Sequence, residues 1–453
     1  MYKKRIDKKS ATTQWKWMPI NGCITRNWVK RMLTLKAVIK AIMENVNDPK
    51  TLDKARKSPR FFTRKRKMDF PQLVYFLMNT INTSTQTALN RFFKNILEES
   101  THMSQQALSK ARSHFDHSPF EGMFRQIVSM RYGFGKKVRK WQGYQVMAVD
   151  GSTINLPNLP ELLQTLGGSG RNADSPTAQA SILLDVANDF VIDACLERYG
   201  MSERKMALGH MDALMEYCPR GKKLLIFDRG YASLELILSL LERHFSFVMR
   251  VRAKWNTNVD NADSGALVTL SDGTVIRVIK LTLTSGETKT LITNLRRVKD
   301  SKFMPLYFMR WPVETKYDIV KNKLALENFS GVSKNAFLQD FWVCALLANI
   351  VSVAKDEASI LVDEAREGKN NLYQHVPNTS DLVASLKDEF VSACLDSSPQ
   401  KRNNRITRVV DEISRSVIPI RPGRSAPRRP PENLSSILTP NLAPDSPKLL
   451  TLA

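Results

Sequence analysis

Two short apolar runs that each end in an aspartate place the strongest constraint on how this chain folds. Residues 146–149 lead into Asp150, and residues 224–227 lead into Asp228. A short apolar run is typical of a buried central strand, and a carboxylate just past its end stands at the edge of an α/β sheet where ligands bind. The two runs therefore predict an α/β fold with both aspartates at one edge of its sheet.

A third acid, Glu314, lies in a segment that also carries Tyr307, Arg310 and Lys321. The step from Glu314 to Lys321 is close to two helical turns, which would place both side chains on one face of a helix. Three separated carboxylates suit a two-metal phosphodiester site, because Mg²⁺ is a hard cation that binds carboxylate oxygens, water and substrate phosphate. Either aspartate motif alone is also an ordinary turn sequence, so the third segment is what favours a metal site.

The spacing Tyr307-x2-Arg310-x3-Glu314-x6-Lys321 resembles the signature of DDE insertion-sequence transposases of the IS-four type. The resemblance runs from about residue 150 to residue 354. It implies that the two strand-ending aspartates and the glutamate are the catalytic acids. It also implies that they are the ligands of Mg²⁺, for which Mn²⁺ can substitute.

The same resemblance implies a reaction and its partners. Transposases of this type bind the inverted-repeat ends of their insertion sequence, cleave DNA by Mg²⁺-dependent phosphodiester hydrolysis and join the 3′-OH ends to target DNA. We therefore expect a DNA transposition enzyme that binds double-stranded DNA and assembles as a homodimer in the synaptic complex. Two alternatives keep the fold: a catalytically silent, domesticated transposase that binds DNA, and an RNase H-like nuclease or resolvase. The three acids argue against the first, and the Tyr-Arg-Glu-Lys segment argues against the second.

Side chains around the third acid are candidates for contacts with DNA. We expect Tyr307, Arg310 and Lys321 to contact phosphates, where Arg binds bidentately and Lys acts as a point charge. Trp311 is either a stacking surface for a flipped base or a buried core residue. Pro312 either begins a helix as its first residue or kinks one.

Two further segments carry residue types suited to nucleic acid. Strand alternation would place Arg250, Arg252 and Lys254 on one strand face, which is either a DNA-facing strip or a solvated face. Ser104 can cap a helix that is either a DNA-contacting helix or an ordinary surface helix. The side chains of that helix expected to be exposed are Gln105, Gln106, Ser109, Lys110 and Arg112.

The charge balance favours a polyanionic partner. The chain has 68 Lys and Arg against 44 Asp and Glu, a formal net charge of +24, and residues 1–70 alone hold 20 basic and 5 acidic residues. Such a surplus attracts nucleic acid. Basic segments also bind anionic membranes, but we find no apolar stretch of spanning length, and residues 341–354 predict a buried helix. We therefore expect DNA and not a membrane as the partner.

Cysteine usage and the N-terminal sequence indicate a reducing compartment. The five cysteines are far apart and lack Cys-x-x-Cys spacing, so neither a disulfide framework nor a zinc site is expected. No cleavable apolar leader follows the basic start. The expected location is the cytoplasm, with action at the bacterial nucleoid.

The predicted elements divide the chain into four regions. We expect a helical N-terminal DNA-binding domain at residues 1–137 and an RNase H-like DDE catalytic domain at residues 138–356, with a β-strand insertion at about residues 245–300. Residues 357–398 should be helical and supply a dimer contact, and residues 399–453 should be a basic, Pro-rich, disordered tail. Within the catalytic domain, an antiparallel pair follows the first strand and a crossover leads to a strand beside it. This is the RNase H-like order, and it brings the two aspartates onto neighbouring strands.

Overall fold

The central sheet has the strand order that the sequence predicts. In the computed structural model, which describes residues 31–421 except 65, 80–83, 284–285, 325 and 327–328, strand β1 lies in the middle of this sheet. Strand β3 pairs antiparallel with β1, β4 pairs antiparallel with β3, β5 runs parallel to β1, and β6 runs parallel to β5. These strands are β1 Tyr144–Asn155, β3 Ser175–Asp185, β4 Phe190–Arg198, β5 Lys222–Phe227 and β6 Ser246–Arg250, with the short β2 Gly168–Ser169 paired to β3.

The register of β1 and β5 brings the first two acids to the same level. Ala148 of β1 lies opposite Ile226 of β5. Asp150 is two residues beyond the first and Asp228 two residues beyond the second, so both stand where the parallel pairing of the two strands ends. Asp150 does not follow the end of its strand, as the sequence predicted, because β1 continues to Asn155 through its antiparallel pairing with β3. The apolar runs before them are fully buried, as expected for central strands covered on both faces.

The predicted β insertion extends the same sheet. Strand β9 Thr288–Thr293 pairs antiparallel with β6, β8 Val275–Thr282 with β9, and β7 Leu267–Thr269 with β8. The strand expected to continue to residue 254 ends at Arg250 instead. Residues 252–255 form a turn in which Lys254 has a φ of +64°, so they share no strand face with Arg250.

Helices precede the sheet, as predicted. They are α1 Leu35–Asn47, α2 Pro49–Ala55, α3 Phe70–Met78, α4 Thr85–Arg91 with a π-helical turn at Phe92–Ile96, α5 Gln105–Ser113 and α6 Ser118–Tyr132. Ser104 caps α5, since its hydroxyl accepts a hydrogen bond from the backbone N–H of Ala107. One expectation for α5 is wrong: Arg112 is only 3% exposed and pairs with Asp340 at 2.6 Å. The other four predicted side chains of this helix are exposed.

Within and after the sheet, further helices complete the core. They are α7 Pro160–Leu166, α8 Glu203–Tyr217, α9 Leu234–Glu242, α10 Thr257–Asn261, α11 Phe303–Phe308, α12 Pro312–Asp318 with a π-helical turn at Ile319–Lys323, and α13 Lys334–Arg366. Helix α13 is long and apolar enough to cross a membrane, but 89% of its most apolar window is buried inside the protein. This agrees with the buried helix predicted for residues 341–354.

The C-terminal region differs from the prediction where the tail was expected to begin. Helix α14 Thr379–Leu395 is followed by α15 Pro399–Arg415, and strands β10 His375–Pro377 and β11 Val417–Pro419 pair with each other. Helix α15 is ordered because apolar residues on one of its faces, such as Ile406 and Val409, are buried. The many arginines and prolines of this region had led to a prediction of disorder, although the apolar residues recur on one helix face. The Pro-rich part of the predicted tail after residue 421, and the first 30 residues with their basic cluster, lie outside the described residues.

The described residues up to 419 belong to one compact unit. Its hydrophobic core includes buried side chains from the N-terminal helices, the sheet and the C-terminal helices. The part of the sheet that carries Asp150 and Asp228 is therefore supported by packing along most of the described chain.

Candidate active site

All three predicted acids converge on one guanidinium group. Arg310 lies 3.6 Å from Asp150 Oδ2 through Nη1 and 3.0 Å from Glu314 Oε1 through Nη2. Burial disfavours the charge of Arg310, but the carboxylates of Asp150, Asp228 and Glu314 outweigh it and raise its pKa above the ordinary value. Three carboxylates thus share a single cation at the carboxyl edge of the sheet.

The second acid has additional donors of its own. Tyr307 donates a hydrogen bond of 3.0 Å to Asp228 Oδ1, and Arg250 Nη1 lies 3.8 Å from the same oxygen. Burial would raise the pKa of Asp228, but the backbone N–H of Arg229, the charge of Arg310 and the Tyr307 hydroxyl lower it. Asp228 is therefore held as a carboxylate.

The first acid is neutralised less completely. Burial raises the pKa of Asp150 to about 6; Arg310 lowers it, while the charges of Glu203 and Glu314 raise it further. Glu203 lies in the first turn of α8 and was not among the predicted site residues. Burial and the charge of Asp228 raise the pKa of Glu203 as well. No motif surrounds Glu203, and the only sequence signal for it is an acid at the start of the predicted crossover helix.

A set of buried polar side chains holds the backbone of Asp150. Its carbonyl oxygen accepts hydrogen bonds from Tyr317 at 2.9 Å and from Ser181 at 3.2 Å. Ser181 is itself 2.9 Å from Nε2 of His210, whose Nδ1 is 2.6 Å from Asp193. All of these side chains are buried, so the serine, histidine and aspartate position the strand. Because Tyr317 follows Glu314 on α12, it also ties the helix of the third acid to the strand of the first.

The segment with the Tyr-Arg-Glu-Lys spacing contains both side chains that bond to the sheet and a side chain that is exposed to solvent. Pro312 is the first residue of α12, where its missing N–H costs no hydrogen bond. Trp311, just before it, is 52% exposed, which contradicts the buried alternative. Tyr307 is 6% exposed and its hydroxyl donates to Asp228, so it positions that acid. Lys321 lies in the π-helical turn and donates to the backbone carbonyl of Thr153.

The predicted basic strip is not assembled. Arg250 pairs with Asp228 and also lies 3.3 Å from Glu287. Arg252 and Lys254 are exposed in the turn beyond the strand, so the alternation of a strand does not place them on one face. Sequence alternation failed here because the strand ends sooner than its apolar pattern indicated.

The donor chemistry of the site fits a divalent metal ion. Across residues 31–421, apart from the undescribed positions, no three Asp, Glu, His or Cys side chains are close enough to hold one metal, so this conformation contains no preformed cage. The available donors are nevertheless carboxylate oxygens, which Mg²⁺ and Mn²⁺ prefer. The guanidinium of Arg310 is the cation at their meeting point. Asp150, Asp228 and Glu314 are therefore suited to hold a metal in its place or beside it.

Comparison with known proteins relates the central part of the chain to one family. Residues 141–350 match the family described as the transposase DDE domain, and all three acids fall within them.

Individual relatives are more distant. The putative transposase InsZ of Escherichia coli strain K12 is 23% identical over 145 residues, which are 31% of this chain and 47% of that protein. The chain thus spans about half the length of this curated relative. Among solved structures, the cryo-EM structure of the piggyBac transposase synaptic complex with hairpin DNA has a TM-score of 0.48 and 11% identity, with coverage of 85% of this chain and 87% of that one.

Proposed function

We propose that this protein is a DDE transposase of the insertion-sequence type that performs cut-and-paste DNA transposition. It binds the inverted-repeat ends of its element, hydrolyses a phosphodiester at each end and joins the freed 3′-OH to target DNA. The observation that carries the proposal is the convergence of Asp150, Asp228 and Glu314 on Arg310, within the residues that match the transposase DDE domain. In this view the central sheet is an RNase H-like core, and the helices before residue 138 form the end-binding domain.

The acids are assigned as ligands of Mg²⁺, with Mn²⁺ as a substitute. Such an ion, when bound, activates the attacking oxygen and stabilises the leaving oxygen of an in-line displacement. Tyr307 holds Asp228 in place, and Tyr317 keeps the helix of Glu314 against the strand of Asp150. Arg310 is then positioned to neutralise a phosphate oxygen that approaches the same carboxylates.

DNA contacts are assigned to the exposed residues next to the acids. Trp311 is next to Arg310 in the chain and more than half exposed, which suits stacking with an unpaired base. Lys321 supplies a point charge at the end of β1. The net charge of +24 supplies the long-range attraction to a duplex.

The active assembly is proposed to be a homodimer on DNA. One chain carries one set of acids, and a transposition event must process two ends. Because the positive charge opposes association of free protomers, we expect a monomer at moderate salt that pairs on end DNA, with contacts after residue 356. Light scattering with and without the end duplex tests this, and a stable DNA-free dimer would contradict it. Its place of action would be the bacterial cytoplasm, at the nucleoid.

Strand transfer on the element's own ends tests the proposal directly. The terminal repeats are read from the DNA that flanks the gene and supplied as labelled duplexes with a target plasmid. We expect cleavage and joined products with Mg²⁺ or Mn²⁺, and end binding without turnover in Ca²⁺, which tolerates looser coordination. Cleavage without joining would favour the nuclease or resolvase alternative. Binding without cleavage in Mg²⁺ and Mn²⁺ would favour the silent DNA-binding alternative.

A further inference from the structure

Glu203 reaches the segments that follow the first two acids, which are the continuation of β1 and the turn after β5. It lies in the first turn of α8, after β4. A Cβ atom added to Gly151 would lie 2.7 Å from Glu203 Oε1, and one added to Gly230 would lie 3.5 Å from Oε2. These glycines follow Asp150 by one residue and Asp228 by two. The carboxylate of Glu203 therefore lies between the segments directly beyond both aspartates.

Gly151 leaves the space that this carboxylate occupies. Its φ is outside the left-handed region, so backbone conformation alone does not require glycine there. A side chain would contact Glu203 and would also lie 3.2 Å from Nε2 of Gln179. The glycine after the first acid is thus explained by the close approach of a fourth one.

The carboxylate of Glu203 has no partner of its own. Within the described part of the chain, no hydrogen-bond donor or cation pairs with it, although the side chain is only partly exposed. The neighbouring Arg204 instead donates to the carbonyl of Gly230 at 3.3 Å. A partly buried carboxylate beside two others is unfavourable unless a cation joins them.

Solvent reaches this carboxylate through an open pocket. Gly151, Thr153, Gln179, Tyr199 and Glu203 are among its lining residues. A hydrated ion can therefore approach Glu203 and the end of β1 from solution without unfolding of the core. The pocket is polar, as suits an ion that keeps several waters.

We propose that Glu203 is a fourth carboxylate of the divalent-cation site, acting with Asp150 and Asp228. This assignment rests on the proposed function and deepens it. Mg²⁺ keeps several waters beside its carboxylate ligands. Glu203 is a further carboxylate that the fold brings to the two aspartates, where it can replace or bind one of those waters. Its role is to bind the ion directly or through one coordinated water.

Metal binding without DNA tests the assignment with a readout that is independent of catalysis. Mn²⁺ is titrated by calorimetry into the full chain, the Glu203→Gln variant, the Asp150→Asn variant and the Glu161→Gln variant. Glu161 is the matched control, because it is also an acid in the first turn of a helix and is exposed. We expect Glu203→Gln to weaken Mn²⁺ binding about tenfold or more, as Asp150→Asn does, and the control to stay within about twofold.

The outcomes separate the two levels of the proposal. Wild-type affinity in Glu203→Gln, together with weakened binding in Asp150→Asn, would overturn the role of Glu203 and leave the proposed function standing. Failure of the wild-type chain to bind Mn²⁺, or undiminished binding in Asp150→Asn, would overturn both. Thermal unfolding in chelator checks that Glu203→Gln is folded. If it is not, Glu203→Ala removes the carboxylate without placing an amide beside the two glycines, and wild-type affinity in that variant would equally overturn the assignment.

Discussion

Two partly buried aspartates, Asp150 and Asp189, have pKa values that are shifted in opposite directions. Their side chains are 25% and 31% exposed. Asp189 lies 2.8 Å from Lys316 and 3.1 Å from Lys355, so that two cations outweigh the effect of burial and lower its pKa. Asp150 lies 3.6 Å from Arg310, which it shares with Glu314, and its pKa is raised to about 6.

The difference separates a structural charge from a functional one. Asp189 pairs with two lysines of the protein, whereas Asp150 shares one arginine with Glu314. Helix α12 serves both places, because Glu314 faces Arg310 and Lys316, two residues on, is fully buried against Asp189. A carboxylate left short of positive charge at an open sheet edge is suited to take a cation from solution.

The largest effect should come from removing the acids at the edge. Asp150→Asn, Asp228→Asn and Glu314→Gln should each lower the cleavage rate by about 10³-fold or more, since loss of a metal ligand removes several kcal/mol of transition-state stabilisation. End binding should stay within a few fold because the basic surface is intact. Cleavage of labelled end duplex and a gel-shift titration measure the two effects. Asp212→Asn, at an acid that is 67% exposed, is the control. Near wild-type cleavage in any of the three variants would remove that residue from the site.

The next largest effect should be on stability, at the structural pair. Lys316→Met leaves Asp189 with one cation and should lower the free energy of unfolding by about 3 kcal/mol, as expected when one partner of a buried ion pair is lost. Lys355→Met should cost less, because the Lys355 side chain is 29% exposed. Urea denaturation at neutral pH measures both. Equal losses of unfolding free energy in the two variants would mean that the deeper burial of Lys316 does not make its ion pair more important for stability.

Removing the charge of Asp150 should increase the free energy of unfolding, whereas the lysine substitutions at Asp189 should lower it. The pKa of Asp150 is about 6 in the folded protein, against an ordinary value of 3.8, so its charged form destabilises the fold at high pH. In chelator at pH 8, Asp150→Asn should therefore raise the free energy of unfolding by up to about 3 kcal/mol, and the gain should disappear as the pH falls from 6 to below 4. For Asp189, with its lowered pKa, the stabilisation is present above the ordinary pKa and is lost on acidification below it. A destabilised Asp150→Asn at pH 8 would contradict the comparison.

The parts of the site that follow local patterns were predictable from sequence. Asp150 and Asp228 follow apolar runs that are buried in the sheet, although β1 continues past Asp150, and Glu314 was marked by its spacing to Arg310. The direction of a side chain depends on what packs beside it, which no local pattern contains. For this reason the hydrogen bond from Tyr307 to Asp228 was not predicted.

Elements distant in sequence account for what was missed. Arg112 was expected on a surface, but helix α13 covers it and supplies Asp340 as its partner. Glu203 has no motif and reaches the acids only because the crossover helix begins at the same edge of the sheet. Helix α15 was hidden by a basic composition that is also typical of disorder. In each case a contact made by tertiary folding outweighed the local sequence signal.

The smallest effect should separate the outward lysine of the α12 segment from the inward one. Lys321 donates to the carbonyl of Thr153 at the end of β1, whereas Lys316 is fully buried. If Lys321 also contacts a phosphate, Lys321→Ala should weaken binding to all duplexes similarly and lower the magnitude of the salt slope by about one unit. Its free energy of unfolding should change by only about 0.5 kcal/mol, because the bond lies at a partly exposed strand end. Lys334→Ala, at an exposed lysine that begins α13, controls for the loss of one positive charge. An unchanged slope with a clear loss of stability would assign Lys321 to holding β1 in place, and Lys316 and Lys321 would then both be structural.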